Sequence, residues 1–159
     1  MWIYLNNRFV SEKEAKISVF DYGFLYGDGL FETLRAYNGK IFALAQHLNR
    51  LSKAAERLCL TLPPRLQLEQ SLYETLHRNG LKNALLRLTV TRGENPIALR
   101  PDLCKKGTQV ITARPFSGHP AQYYENGVSA AIVSIPRISP DGKNPSIKSL
   151  NFLNNILGK

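Results

Sequence analysis

Apolar and polar positions near the start of the chain follow the pattern of a small hairpin. Residues 2–5 and 8–10 are rich in apolar and aromatic side chains, and Asn6 and Asn7 lie between them. The pattern predicts two short strands joined by these polar residues.

A second hairpin is predicted a little further along the chain. Residues 31–37 alternate with a period of two, and Asn38 and Gly39 follow before residues 40–42. Asn-Gly between β-prone stretches is a strong hairpin signal, because a type I′ turn needs positive φ at both central residues. We therefore expect paired strands on the two sides of this dipeptide.

From residue 44 the apolar period becomes helical. One helix is predicted at 44–58, because its apolar residues recur at helical spacing on one face: Leu44, Leu48, Leu51, Ala55 and Leu58. A second helix is expected from Pro64, a residue suited to a helix start, to Gly80, a residue suited to a helix end. Its apolar face is formed by Leu68, Leu72 and Leu76.

The rest of the chain reads as shorter elements. Strands are predicted at 83–91, 108–114 and 127–135, loops at 93–106 and 138–146, and a last helix that begins near Lys148. The fold class is therefore α+β. We expect a domain at 1–118, an interdomain linker at 119–126, and the start of a second unit at 127–159. One strand and one helix bury too little surface to be stable alone, so this unit either packs on the first domain or is truncated.

Charge and composition exclude several function classes. The 159 residues carry 21 Lys+Arg and 12 Asp+Glu, for a net charge of +9, but the basic residues are scattered and form no aromatic-interleaved stripe. We expect no nucleic-acid partner. No apolar stretch is long enough for a membrane span, and no secretory signal is recognisable, so the cytoplasm is expected. Cys59 and Cys104 stand in unrelated contexts, and no metal site is expected.

Lys148 is the most informative single residue. It is the only charged side chain in the segment 146–155. A lysine among apolar and neutral neighbours can be desolvated, which lowers its pKa and frees the amine to attack a carbonyl. The alternative is a helix lysine whose ammonium group reaches water.

Three further features carry possible chemistry. Residues 22–32 contain three glycines within seven positions and interleaved aromatics, which permits close backbone approach but matches no nucleotide-binding motif. His47 and Arg50 are three residues apart on a predicted helix, so both can converge on one anion. Arg92 follows a predicted strand and could bind a carboxylate. Taken alone, each has a structural alternative.

In this order and at these separations, the glycine-rich turn, the His47–Arg50 helix and the Ile-Lys-Ser-Leu-Asn segment around Lys148 resemble the fold-type IV pyridoxal-phosphate enzymes. These are the class IV aminotransferases, which include branched-chain and D-amino-acid transaminases, and aminodeoxychorismate lyase. The resemblance spans essentially the whole chain. It implies the small N-terminal domain of the D-amino-acid-aminotransferase-like fold, followed by the first strand and helix of the larger cofactor domain.

The resemblance also implies residue roles. Lys148 would form a Schiff base with pyridoxal 5'-phosphate and move protons, and Arg50 would hold the cofactor phosphate. The acidic partner of the pyridine nitrogen would lie beyond Lys159, in a C-terminal portion of the same enzyme. Homodimers or higher homo-oligomers are expected.

On the substrate side, five residues are candidates: Tyr26, Phe31, Thr33, Arg35 and Arg92. Phe31 would offer an apolar wall, and Arg35 or Arg92 could receive a carboxylate. Thr33 and Phe152 depart from the residues common in branched-chain transaminases, which weakens that specific assignment.

The predicted activity is transfer of an amino group from an amino acid to a 2-oxo acid. The alternative is aminodeoxychorismate lyase, which yields 4-aminobenzoate and pyruvate. A remote third possibility is a non-catalytic basic binding module, which would show salt-sensitive oligonucleotide binding and no cofactor absorbance.

Overall fold

The computed structural model describes residues 1–95, 99–104, 106–139 and 147–159. Within them, six strands form one antiparallel sheet: β1 (Trp2–Leu5), β2 (Arg8–Ser11), β3 (Gly29–Tyr37), β4 (Lys40–Ile41), β5 (Ala84–Thr91) and β6 (Gln109–Pro115). The strand order is β2-β1-β6-β5-β3-β4. Because β3, β5 and β6 are the longest strands and are adjacent, they form the rigid centre of the sheet.

Both predicted hairpins are confirmed. Asn6 and Asn7 join β1 to β2 with φ of 47° and 69°, and Asn38 and Gly39 join β3 to β4 with φ of 49° and 78°. Positive φ at two successive turn residues matches the right-handed twist of the flanking strands. Asparagine and glycine adopt this conformation at low cost.

Five α-helices accompany the sheet within the described residues: α1 (Tyr22–Tyr26), α2 (Leu44–Arg57), α3 (Arg65–Arg78), α4 (Ala121–Asn126) and α5 (Leu153–Leu157), with a 3₁₀ turn at Pro101–Leu103. The two long helices match the predicted ones closely. Their apolar residues, including Leu48, Leu51, Leu72 and Leu76, are buried against the sheet. These helices cover one face of the sheet.

The alternation of β3 therefore separates two environments. Leu30, Leu34 and Ala36 are fully buried on the helix side. Thr33 and Arg35 belong to the opposite side, which we call the open face. Glu32 is the exception on the helix side, because it is a carboxylate with 0% exposure.

The prediction for the C-terminal segment is partly wrong. No strand forms at 127–135, where Val128 is exposed and Ile132 is fully exposed. An isolated extended segment has no partner for its backbone groups, so β propensity alone does not create a strand. The predicted linker at 119–126 contains α4, and part of the predicted loop at 138–146 lies outside the described residues.

The last helix also begins later than expected. It starts at Leu153, and Lys148 precedes it outside any helix, next to the isolated bridge between Ser149 and Leu30. This correction is informative, because backbone groups that are not bonded within a helix can pair with a sheet edge.

Candidate active site

Lys148 is held against the edge of β3. Strand β4 pairs only with Ala36 and Tyr37, at the far end of β3. The N-terminal part of that edge pairs instead with the Lys148 segment: Phe31 N–H donates to Lys148 O at 3.0 Å, and Leu150 N–H donates to Gly29 O at 2.9 Å. Two backbone bonds fix the position of the lysine on the sheet.

The Lys148 amine lies beside aromatic rings. Its Nζ is 4.4 Å from the centre of the Phe31 ring and 6.0 Å from that of Phe152, and the two rings pack edge to face. Burial lowers the pKa of Lys148, and the positive charges of Arg50 and Arg87 lower it further, against an opposing effect of Glu32. The desolvated environment predicted from the sequence is thus present.

Arg50 and His47 converge on one anion, as predicted, and this anion is the Glu32 carboxylate of the same chain. Arg50 Nε donates to Glu32 Oε1 at 2.6 Å, its Nη2 donates to Oε2, and His47 Nδ1 lies 2.8 Å from Oε2. The hydrogen bond to Glu32 raises the pKa of Arg50. A two-point contact with a fully buried carboxylate fixes the plane of the guanidinium. The Arg50 side chain nevertheless remains 50% exposed.

Arg50 and Lys148 line the same cavity of about 380 Å³, which also contains Arg137, Ser149 and Phe152. Its volume lies within the usual range of small-molecule pockets, about 300–1,000 Å³. Cations line it, and no carboxylate is among its lining residues within the described chain. The cavity therefore suits an anionic ligand with an aromatic or apolar part. We call it the lysine cavity.

Arg87 is a further cation on the open face, and sequence analysis did not select it. Its Cζ is 3.9 Å from the centre of the Phe31 ring, the same ring that lies under Lys148 Nζ. In the sheet it is directly opposite Thr33. The Lys148 amine and the Arg87 guanidinium are thus neighbours across one aromatic side chain.

The structure does not bring the two predicted carboxylate ligands, Arg35 and Arg92, to the lysine cavity. Arg92 donates to both Asp28 oxygens and to the carbonyl oxygens of Leu58 and Cys59, so four of its five N–H donors are used within the fold. Arg35 lies over the Phe116 and Tyr37 rings, at 4.0 and 4.7 Å.

Arg35 and Tyr26 lie near the site but outside the lining of the lysine cavity. Arg35 is four residues from Phe31 along β3, and its Nε and Nη1 are buried without a hydrogen-bond partner. Tyr26 ends α1, packs edge to face on Tyr22 at 5.0 Å and is 40% exposed. The following residue, Gly27, lies against the backbone of Asn151. Tyr26 is therefore connected to the Lys148 segment through its neighbour Gly27, which contacts Asn151.

Glu32 and Arg87 are the contacts that sequence analysis missed. The signal for Glu32 was available, because a carboxylate at an inward position of an alternating strand requires a buried partner. Arg87 could not be assigned without the strand register that places it beside Thr33 and Phe31.

The chain matches the profile of the class IV amino-transferase family over residues 29–159. It is 46% identical to a putative branched-chain-amino-acid aminotransferase of Methanocaldococcus jannaschii, over all of this chain and 54% of that protein. It is 31% identical to a D-alanine aminotransferase of Listeria monocytogenes, over all of this chain and 55% of that protein. The chain belongs to the class IV aminotransferase family, and it spans about half the length of these curated relatives.

Solved structures agree in fold. The branched-chain aminotransferase of Thermoproteus uzoniensis with norvaline superposes with a TM-score of 0.86 at 30% identity, covering 99% of this chain and 54% of that one. The 4-amino-4-deoxychorismate lyase of Pseudomonas aeruginosa gives 0.81 at 28% identity, over 98% and 55%. Another branched-chain aminotransferase, complexed with N-(5'-phosphopyridoxyl)-L-glutamate, gives 0.88 at 25% identity, over 98% and 52%.

Class IV aminotransferases use pyridoxal 5'-phosphate, and the residues of this chain fit that group. Its aldehyde requires an amine of lowered pKa, which Lys148 supplies. Its phosphate requires a cation, and Arg50 lines the same cavity as Lys148. The described residues contain no cluster of side chains suited to a metal ion, and no helix within them is long and apolar enough to cross a membrane.

Proposed function

We propose that this chain forms part of a pyridoxal-phosphate-dependent aminotransferase that moves an amino group from an amino acid to a 2-oxo acid. The observation that carries the proposal is the Lys148 amine, of lowered pKa, beside an arginine that a buried carboxylate holds in place. Membership of the class IV family supports the same chemistry.

In this proposal Lys148 has two roles. Its neutral amine would hold the cofactor aldehyde by condensation with loss of water. Once the substrate amine has displaced it, the Lys148 amine would accept and return a proton at the substrate Cα. The bound cofactor supplies an electron sink for the charge left when that proton departs. The pairing of the Lys148 segment with β3 restricts the amine to one side of the sheet edge, which favours transfer at a defined position.

Arg50 binds the cofactor phosphate in this proposal. Its Nε and Nη2 are committed to Glu32, so the remaining Nη1 and the exposed edge of the guanidinium face the ligand. His47 adds a further contact to Glu32 and lies 3.2 Å from Arg50 Nη2. The three side chains keep the cation oriented before any ligand arrives.

The open face forms the substrate side. Phe31 and Phe152 provide an apolar wall that excludes water and suits a hydrophobic side chain. Arg87, over the same Phe31 ring, is the best-placed group to receive a substrate carboxylate. Thr33 is directly opposite Arg87 in the sheet, and Tyr26 stays a candidate because the adjacent Gly27 lies against Asn151 of the lysine cavity. Arg35 and Arg92 stay candidates of lower rank, because Arg35 is further along β3 and Arg92 is bound to Asp28.

Among aminotransferase substrates we favour branched-chain amino acids. The relative with 46% identity is named for that activity, and an aromatic wall next to the amine suits an apolar side chain. Aminodeoxychorismate lyase activity is the second candidate. The fold likeness to such a lyase supports it, at 28% identity.

We also propose that residues 127–159 begin a larger second domain, which completes the site. The coverage of 54% of the M. jannaschii relative supports this, as do the exposed apolar side chains of Val128, Ile132 and Leu153.

We also propose a homodimer, because three exposed apolar side chains lie close together in the chain: Val19, Phe20 and Phe24. Light scattering on the complete protein should give twice the chain mass. A cytoplasmic location accords with the free thiols of Cys59 and Cys104.

The decisive assay uses the complete protein with pyridoxal phosphate, 2-oxoglutarate and a panel of L- and D-amino acids. The proposal expects glutamate formation, fastest with a branched-chain donor. Pyruvate release from aminodeoxychorismate with negligible glutamate formation would instead establish the lyase. Failure of both reactions, with the cofactor bound, would overturn the proposed function.

A further inference from the structure

The Ser149 hydroxyl is the least explained polar group next to the lysine cavity. Ser149 is only 7% exposed, and its Oγ makes no hydrogen bond. Buried hydroxyl groups nearly always have a partner, since leaving one unsatisfied is unfavourable. An orphaned oxygen at the wall of a cavity therefore indicates a ligand atom that would satisfy it.

Ser149 cannot easily turn away to find another partner. It is paired with Leu30 of β3, and the backbone bonds made by Lys148 and Leu150 hold it on both sides. Its own N–H donates to Ile147 O at 2.9 Å. The side chain is thus presented from a fixed backbone.

The side on which Ser149 lies matters for what it can bind. Residues directly paired across antiparallel strands point to the same side, and successive residues point to opposite sides. Ser149 therefore lies on the side of Leu30 and Glu32, where Glu32 anchors Arg50. Lys148 lies on the other side, over Phe31. Both residues line the same cavity as Arg50.

The charges around Ser149 favour an anion. The described cations of the cavity are Arg50, Arg137 and Lys148, and the nearby Glu32 carboxylate is already occupied by Arg50 and His47. A neutral hydroxyl beside fixed cations can donate a short, charge-assisted hydrogen bond to a phosphate oxygen.

We propose that Ser149 Oγ donates a hydrogen bond to the anionic group that Arg50 binds, which makes Ser149 a second phosphate ligand. This inference rests on the proposed function, in which that group is the phosphate of the cofactor. Two parts of the fold then hold the phosphate: helix α2 through Arg50, and the Lys148 segment through Ser149. Because Ser149 adjoins Lys148, phosphate binding also fixes the position of the reacting amine.

The test compares two ligands that differ only in the phosphate. Dissociation constants of pyridoxal phosphate and of pyridoxal are measured by absorbance titration of the complete apoprotein and its Ser149→Ala variant. We expect Ser149→Ala to bind pyridoxal phosphate about tenfold or more weakly, as for the loss of a hydrogen bond to a charged group. Binding of pyridoxal should be unchanged. Ser149→Thr, which retains the hydroxyl, should bind like the parent protein.

Stability measurements separate this role from a structural one. Because the hydroxyl has no partner within the fold, Ser149→Ala apoprotein should melt at the same temperature as the parent or higher. Inorganic phosphate should raise the melting temperature of the parent more than that of the variant. Ser71→Ala is the matched control, since Ser71 is buried on α3 and donates to Leu68 O. It should lower the melting temperature without changing the ratio of the two affinities.

Three results would overturn the inference. Equal weakening of pyridoxal and pyridoxal phosphate would make Ser149 a packing residue, and unchanged affinity for both would remove it from the site. If the parent protein itself binds pyridoxal phosphate no better than pyridoxal, the phosphate site and the inference fail together. If the parent protein prefers pyridoxal phosphate to pyridoxal but Ser149→Ala gives either of the first two results, only the inference fails. The proposed function then stands.

Discussion

At the scale of single residues, Lys148 combines burial with neighbouring positive charge. Both effects disfavour its ammonium form, so its pKa is below the ordinary lysine value of about 10.4. The sequence predicted the desolvation from the neutral neighbours of Lys148. It could not predict Arg87, because that cation reaches the amine only through the pairing of β3 with β5.

The lowered pKa of Lys148 predicts a shifted pH profile. Burial penalises the charged form, so the amine deprotonates at lower pH than an exposed lysine and should react faster with a small aldehyde and a reductant below the ordinary lysine pKa. Because the folded state disfavours the charged amine, the contribution of Lys148 to folding stability is fully present above about pH 10.4, the pKa of an unfolded lysine. This contribution is lost as the pH falls through the lowered pKa of the folded state. Peptide mapping against pH, with exposed Lys53 as the internal reference, measures this. Identical profiles for both lysines would contradict the prediction.

Glu32 is the positioning residue for Arg50. In a Glu32→Gln variant the carboxamide cannot accept two charge-assisted bonds from the guanidinium, so Arg50 should lose its fixed orientation. We expect pyridoxal phosphate affinity to fall about tenfold and the free energy of unfolding to fall by about 1–3 kcal/mol. Cofactor titration and urea denaturation measure the two effects.

The control for this variant is Glu69→Gln, which removes an exposed pair with Arg65 on α3. Exposed pairs contribute about 0–1 kcal/mol, so little change is expected there. If Glu32→Gln binds the cofactor as tightly as the parent protein, Glu32 has no positioning role.

At the scale of elements, local signals predicted most of the structure of residues 1–115. The Asn-Asn and Asn-Gly turns and the leucine spacing of α2 and α3 agree with the global fold, and such elements are readily predicted from sequence. The segment 127–135 has strand composition but no strand partner within the described residues. Pairing is a property of two segments, which is why its composition was misleading.

Contact between β3 and the Lys148 segment depends on Gly29. A Cβ at this position would lie 2.7 Å from Leu150 Cδ1 and 2.7 Å from the Val90 carbonyl oxygen. The Val90 oxygen belongs to the sheet and cannot move freely, whereas Leu150 belongs to the Lys148 segment. The added methyl group in Gly29→Ala should therefore displace the Lys148 segment from β3. We expect a stability loss of about 1–3 kcal/mol and weaker cofactor retention, measured by urea denaturation and dialysis.

Gly158→Ala is the matched control for the glycine experiment. Its Cβ would meet nothing closer than 3.6 Å among the described residues, so stability and cofactor retention should both persist. Retention of cofactor by Gly29→Ala at the level of this control would show that the edge pairing does not position Lys148.

At the scale of the whole molecule, the basic residues behind the net charge of +9 fall into those near the proposed cofactor site and those elsewhere. Arg50, Arg87 and Lys148 surround the site, whereas other basic residues form exposed pairs, as in Arg65–Glu69 and Arg78–Glu74. Sequence analysis selected Lys148, Arg50 and Phe31, which the fold brings together. It could not rank Arg35 and Arg92, because only the contacts with Phe116 and Asp28 show how these side chains are used.

The central claim is that Lys148 is the residue that binds the cofactor aldehyde. The most direct measurement is borohydride reduction of the complete protein with pyridoxal phosphate, followed by peptide mapping by mass spectrometry. The account predicts one phosphopyridoxyl adduct, located on Lys148 and absent from the Lys148→Ala variant. An adduct spread over exposed lysines, or one that survives in Lys148→Ala, would contradict it.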